Sequence, residues 1–131
     1  MLEMPRAIVR EIAAEAKAAL PNECCGLLAG RGEVVERLFA MTNVESSPTR
    51  YFMDAREQFE VARKVREAGM ELVGVYHSHP NSPPYPSLRD IERAFCPGLV
   101  HVIVSLSGME AEMRAFRIAE GTVSEVGLRV S

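Results

Sequence analysis

The chain has 131 residues, of which 47% are hydrophobic and 25% charged, and a net charge of −3. This is the size and composition of a single soluble domain, residues 1–131, with enough chain for a core of its own. The mild acidity gives no electrostatic footprint for nucleic acid, and no apolar run reaches the roughly 18 residues of a membrane span.

Residues 1–17 mix Glu, Arg and Lys into their apolar positions, so the segment does not read as a secretory signal. Ile8, Ile12, Ala16, Ala19 and Leu20 recur at helical spacing behind Pro5, which suits a first turn, and Pro21-Asn22 ends that helix. Cys24-Cys25-Gly26-Leu27-Leu28-Ala29 predicts a buried strand closed by a Gly30-Arg31-Gly32 turn, with 34–39 returning as its hairpin partner. Residues 41–50 are polar and contain Ser and Pro, so they predict a loop, followed by a short strand at Tyr51-Phe52-Met53. Asp54 with Glu57 three positions on matches a capping box. The helix behind it carries Val61, Ala62, Val65 and Ala68 on one stripe and stops at Gly69.

Residues 71–79 are apolar on both faces, the pattern of a central strand covered from both sides, and 101–106 read the same way. The loop between them holds four of the eight prolines (Pro80, Pro83, Pro84 and Pro86) and should be stiff. Leu88, Ile91 and Phe95 mark a short helix. A C-terminal hairpin turns about Glu120-Gly121. Its first strand switches parity from Ala111, Met113 and Ala115 to Phe116 and Ile118, which predicts a bulge, while Val126, Leu128 and Val130 alternate cleanly. The expected class is α/β, a mixed sheet with helices packed on it.

The chemistry concentrates in Tyr76-His77-Ser78-His79-Pro80 and Ser87-Leu88-Arg89-Asp90. From His77 to Asp90 they place two imidazoles, the Ser87 hydroxyl and a carboxylate within 14 residues. A strand sends i and i+2 to one face, so both rings can converge on one ion, with Asp90 arriving from a second element. Three protein ligands with a fourth position left to water make the catalytic form of a zinc site. Ser87-x-x-Asp90 also fits a capping box. Two buried histidines on one face need partners for every ring nitrogen, and shared metal ligation supplies them. Cys24, Cys25 and Cys96 are odd in number and lack a C-x-x-C pair, so reduced thiols in a cytoplasmic protein are expected. Cys24 and Cys25 read as small core residues on opposite faces. His101 reads as a sheet residue, Arg63, Lys64 and Arg66 as a solvated helix face, and Glu23 taken alone as a solvated charge.

His77-Ser78-His79, seven residues, Ser87, two residues, Asp90 resembles the signature of the JAMM (MPN+) metalloproteases of the prokaryotic stand-alone type. The Pro21-Asn22-Glu23-Cys24-Cys25-Gly26-Leu27-Leu28 stretch resembles the family's context for a distal glutamate, and the likeness covers nearly the whole chain. It implies one curved, mixed β-sheet flanked by helices, of the cytidine-deaminase-like kind. It also implies a zinc-dependent peptidase or isopeptidase cleaving after the C-terminal diglycine of a ubiquitin-like or sulfur-carrier protein. By this resemblance His77, His79 and Asp90 hold zinc, Glu23 is the general base on the zinc-bound water, and Ser87 hydrogen-bonds the oxyanion. A diglycine tail would lie along a strand edge, where only glycine lets a backbone approach so closely. The alternative is a non-catalytic MPN scaffold that binds ubiquitin-like proteins; such relatives typically lose the metal ligands, and this chain keeps them. A nucleobase deaminase needs H-x-E with P-C-x-x-C, whereas here His79 stands two after His77 and Cys96-Pro97 has no second cysteine.

Overall fold

The computed structural model describes residues 1–94 and 96–131. In chain order its elements are β1 (Leu2–Met4), α1 (Arg6–Ala19), β2 (Cys25–Arg31), β3 (Val34–Met41), α2 (Ala55–Glu67), β4 (Glu71–His79), α3 (Leu88–Glu92), β5 (Val100–Ser105), β6 (Glu112–Ala119), β7 (Thr122–Val126) and β8 (Leu128–Val130). All the strands join one sheet in the order β7-β6-β5-β4-β2-β3-β1-β8. β4 runs parallel to β5, and β1 runs parallel to both β3 and β8; the other neighbours are antiparallel. The outermost strands β7 and β8 are separated in sequence by Gly127 alone, so the sheet curls until its two ends meet. Leu2 N donates to Gly127 O at 2.8 Å, so the β1–β8 pairing reaches the residue that joins the two ends. The expected mixed, curved sheet flanked by helices is what the structure shows.

β4 lies between β2 and β5 and is covered on both faces, as its pattern predicts. On one face Ile8, Ile12 and Ala16 of α1 pack on Leu28, Tyr76, Val102 and Val104. On the other, Cys25, Leu27 and Ala29 meet Val61 and Val65 of α2. Each Ile or Leu buried in this way stabilises the fold by about 1.5–3 kcal/mol. The Tyr76 hydroxyl donates to Glu15 Oε2 at 2.7 Å, and its ring fills the space left open by Gly26, its partner in register. The β2–β4 register shifts between Leu28 and Ala29, so Val73 turns toward α1 while Leu72 and Val75 stay on the α2 side. From Val75 onward the odd residues of β4 face α2, which sends His77 and His79 the same way.

Several local expectations differ from the structure. β2 extends to Arg31, and the turn is made by Gly32 (φ +60°) and Glu33. Tyr51-Phe52-Met53 forms no strand, only a single bridge from Met53 to Asn43. Asp54 does cap α2, accepting from Arg56 N at 2.9 Å and Glu57 N at 3.0 Å. Glu57 does not reciprocate, because its carboxylate accepts from Thr42 N and Oγ1, both at 2.7 Å. β6 has no bulge, since its registers with β5 and β7 run without a shift. Ala115 and Phe116 are both buried because both faces are covered there: Ala115 joins the α1 core, and Phe116 meets Tyr85 edge-on at 5.4 Å. Val126, Leu128 and Val130 do not share one strand; Gly127 breaks it, β7 pairing with β6 and β8 with β1. Phe95, expected on α3, lies outside the described residues. Cys24, Cys25 and Cys96 are free thiols, with Cys24 and Cys25 in the cores on opposite faces as expected. No helix among the described residues is long and apolar enough to cross a membrane.

Candidate metal centre and active site

His77 and His79 stand at the C-terminal end of β4, both buried, with their Nε2 atoms 3.0 Å apart. The proline-bearing loop that follows returns the chain over the strand end and delivers α3. Asp90, in its first turn, places Oδ2 at 3.1 Å from each of those nitrogens. The capping-box reading of Ser87-x-x-Asp90 is borne out, and it leaves Asp90 facing the two rings. Ser87 Oγ accepts from Asp90 N at 3.1 Å and Asp90 Oδ2 accepts from Ser87 N at 2.9 Å, a reciprocal capping box. One carboxylate oxygen thus ties off the helix and faces the two rings. Because the cap uses only a lone pair of the Ser87 hydroxyl, its proton remains available to donate.

His79 Nδ1 lies 2.8 Å from Pro83 O, and a carbonyl can only accept, so Nδ1 carries the proton. That bond turns the ring so that Nε2 points at His77 and Asp90. The His77 ring is held from one side by Tyr51, stacked with centroids 4.6 Å apart and planes at 26°. Burial by itself raises the Asp90 pKa, but hydrogen bonds from His77 and His79 outweigh it and hold the carboxyl well below its usual range. Burial lowers His79, and its bonds to Asp90 and the Pro83 carbonyl overcome this and raise it. Among the described residues, His77, His79 and Asp90 form the group able to hold an ion. Three atoms bound at about 2.0–2.1 Å to a tetrahedral zinc stand roughly 3.3 Å apart. The observed edges of 3.0–3.1 Å lie close to that, from a donor set of two imidazoles and a carboxylate that suits zinc.

Glu23 precedes β2. The pairing of Cys25 with His77, continued two residues, brings Glu23 abreast of His79 on the same face. It is buried, not the solvated charge its isolated sequence position predicts, and Oε1 has no hydrogen-bond partner among the described residues. Burial pushes its pKa up to about 8, with His79 pulling down and Asp90 and Glu45 pushing further up. Its backbone is fixed by Glu23 N to Ser47 O at 2.8 Å and by Asn43 Nδ2 to Glu23 O at 3.1 Å.

Three contributors escape sequence reasoning: Asn43, Tyr51 and Arg93. Asn43 Oδ1 accepts from Glu45 N and Phe52 N while Nδ2 donates to Glu23 O and Arg50 O, folding the 43–53 loop around Glu23. Arg93, just past α3, donates to Tyr51 O at 3.1 Å and pairs with Glu45 at 3.3 Å. These contacts join segments more than 40 residues apart, and no local spacing marks them. His101 is a sheet residue as expected, paired with Val75 and buried, with its pKa driven down to about 4 by burial. It lines an apolar groove of about 500 Å³ that opens between α2 and α3 beside Asp90, with Leu27, Tyr51, Phe59 and Val75. Burial pushes the Cys24 and Cys25 thiols up to about 12, so neither is a ready nucleophile. Arg63, Lys64 and Arg66 are exposed as expected, Arg63 being paired with Glu60 at 2.6 Å.

Residues 5–119 match the family model for prokaryotic homologs of the JAB domain. The chain is 38% identical over 126 residues to the CysO-cysteine peptidase of Mycobacterium tuberculosis, spanning 94% of this chain and 86% of that one. It is 37% identical over 131 residues to a probable TtuB-protein conjugate cleaving protease of Thermus thermophilus, spanning 99% and 83%. A solution structure of a Desulfitobacterium hafniense protein superposes with a TM-score of 0.91 at 36% identity, covering 100% of this chain and 93% of that one. With the histidines, the carboxylates and the curved sheet in these places, the chain belongs to the prokaryotic JAB-domain family, the stand-alone JAMM/MPN type, and is a JAMM-type hydrolase.

Proposed function

We propose that this hydrolase is zinc-dependent and cleaves after the C-terminal diglycine of a ubiquitin-like or sulfur-carrier protein. The observation that carries the reading is the triangle of His77 Nε2, His79 Nε2 and Asp90 Oδ2, with edges of 3.0–3.1 Å, beside a buried Glu23 whose Oε1 has no partner among the described residues. His77, His79 and Asp90 are the ligands in this reading. Zinc, when bound, lowers the pKa of water to about 7 and polarises a carbonyl. Glu23 takes the proton from the attacking water at its carboxylate and returns it to the leaving amine. A base works best with a pKa near the working pH, and burial has already moved Glu23 in that direction. Ser87 donates its hydroxyl proton to the oxyanion, a role its cap leaves open.

The relatives' names speak for the substrate: one is a peptidase for a CysO-cysteine adduct, another a protease for TtuB-protein conjugates. Both names describe cleavage of a joined species, and we read the joined partner here as a ubiquitin-like or sulfur-carrier protein. A cytoplasmic location, where free thiols such as Cys96 persist, belongs to the same reading. The test is intact-mass analysis of a ubiquitin-like sulfur carrier extended beyond its diglycine. Zinc-loaded wild type should release the extension at the diglycine, and Glu23→Gln should not. An intact carrier after incubation with zinc-replete protein would overturn the substrate assignment.

A further inference from the structure

His79 owes its orientation to a carbonyl on a loop that has few main-chain donors to hold it. Pro80, Pro83, Pro84 and Pro86 have no N–H, so the loop must be fastened chiefly through its carbonyls. Ser105, at the end of β5, supplies such a fastening. It is buried, pairs with His79 in the parallel β4–β5 register, and therefore faces the same side. Its Oγ donates to Ser82 O at 2.6 Å. Because that bond uses the Ser105 proton, Ser107 Oγ, 2.9 Å away, is the donor to Ser105, and Ser107 N donates as well at 3.2 Å. The Ser105 hydroxyl is thus held from behind while it grips the loop. The next carbonyl after Ser82 is Pro83 O, which accepts from His79 Nδ1 and from Tyr85 N, both at 2.8 Å. The residue after Ser105 completes the frame, Leu106 N donating to His79 O at 3.0 Å.

We infer that Ser105 is a positioning residue for the His79 ring: by gripping Ser82 it aims the Pro83 carbonyl at Nδ1, which sets the tautomer and the direction of Nε2. The inference rests on the reading above that His79 is a zinc ligand, and it gives the proline loop a function in that site. Stiffness from proline limits the shapes the loop can take, but it does not fix where the loop sits. The Ser105–Ser82 bond does.

The test compares Ser105→Ala with Ser105→Thr, reading zinc affinity by chelator competition and the His79 Nδ1 proton by NMR of protein labelled with ¹⁵N-histidine. Ligand-orienting partners typically matter by 10- to 100-fold in metal affinity, and Ser105 acts one bond further out. Ser105→Ala should therefore bind zinc about tenfold more weakly and lose the slowly exchanging Nδ1 proton, and Ser105→Thr, which keeps the hydroxyl, should restore both. If Ser105→Ala does not fold, Ser105→Val against Ser105→Thr isolates the hydroxyl at constant shape, both being good strand residues. Wild-type affinity together with a retained Nδ1 proton in the hydroxyl-free variant would overturn the inference. A purely structural Ser105 would lower the melting temperature and leave the His79 tautomer untouched, which would also overturn it. If the wild type held no zinc, the functional reading would fall on its own, and the Nδ1 proton would still decide whether Ser105 positions the ring.

Discussion

Glu23 is only 3% exposed and its Oε1 has no partner among the described residues, so the fold favours its neutral form. Its value of about 8 lies above that of an unfolded glutamate, near 4.5, so the carboxyl contributes stability that is fully present below about 4.5 and lost as pH rises through about 8. In chelator-treated protein, urea unfolding of the wild type should weaken relative to Glu23→Gln across that window; parallel curves would show that Glu23 is not desolvated. With zinc restored, Glu23→Gln should keep its full metal content and lose about 10²- to 10⁴-fold in kcat, the range of a general base. Loss of metal in that variant would make Glu23 a ligand. His101 has the opposite sign. Burial pulls its value from 6.5 to about 4, so its contribution is present above 6.5 and lost as pH falls through about 4. His101→Gln should therefore remove part of the acid sensitivity between pH 6.5 and 4, read as the difference between the two proteins' urea midpoints.

At the level of elements, α3 is five residues long with no buried residue, so its cap and the contacts of Asp90 place it more than any apolar face does. Ser87→Ala removes the cap and should cost about 1 kcal/mol, whereas Ser87→Gly should cost only a few tenths. If the hydroxyl also serves the oxyanion, both variants should slow turnover by about 10²-fold or more despite their different stabilities. Activity that tracked stability instead would leave Ser87 as a cap alone. Arg93 latches the 43–53 loop to the end of α3 through Tyr51 O and Glu45. Arg93→Ala should speed limited proteolysis within that loop while global stability changes by less than about 1 kcal/mol, since the ion pair is partly exposed. The elements whose reasons are local were legible in the sequence. The stripe of α1, the two-sided burial of β4 and the cap of α2 all follow from spacing along one segment. The misreadings have reasons that lie across the sheet. Phe116 breaks parity because Tyr85 covers its face, and Glu57 leaves its box because Thr42 offers two donors. Tyr51 is apolar enough for a strand, but its ring stacks on His77.

The molecule as a whole is organised around closure of the sheet, with β7 and β8 meeting at Gly127 and β4 enclosed between α1 and α2. The triangle of His77, His79 and Asp90 was readable in advance because two of its members share a strand face and the third follows within one loop. Glu23 was not, since only the β2–β4 pairing carries it to His79 from 56 positions away in the chain, and family context alone pointed to it. The same arrangement predicts how the protein unfolds. His77 and His79 sit buried on a strand covered on both faces, and Asp90 belongs to a helix held over the end of that strand, so the site has no existence apart from the fold. Zinc at 100 times its dissociation constant should then stabilise the native state by about 2.7 kcal/mol, roughly 10 °C in melting temperature for a chain of this size. Chelation should shift a single cooperative transition downward without splitting it, because both cores share β2 and β4 and neither can open alone. Calorimetry with and without chelator reads this directly. Two transitions in the metal-free protein would mean that residues 1–131 are not one folding unit, and an unmoved midpoint would mean that no metal is bound in the native state.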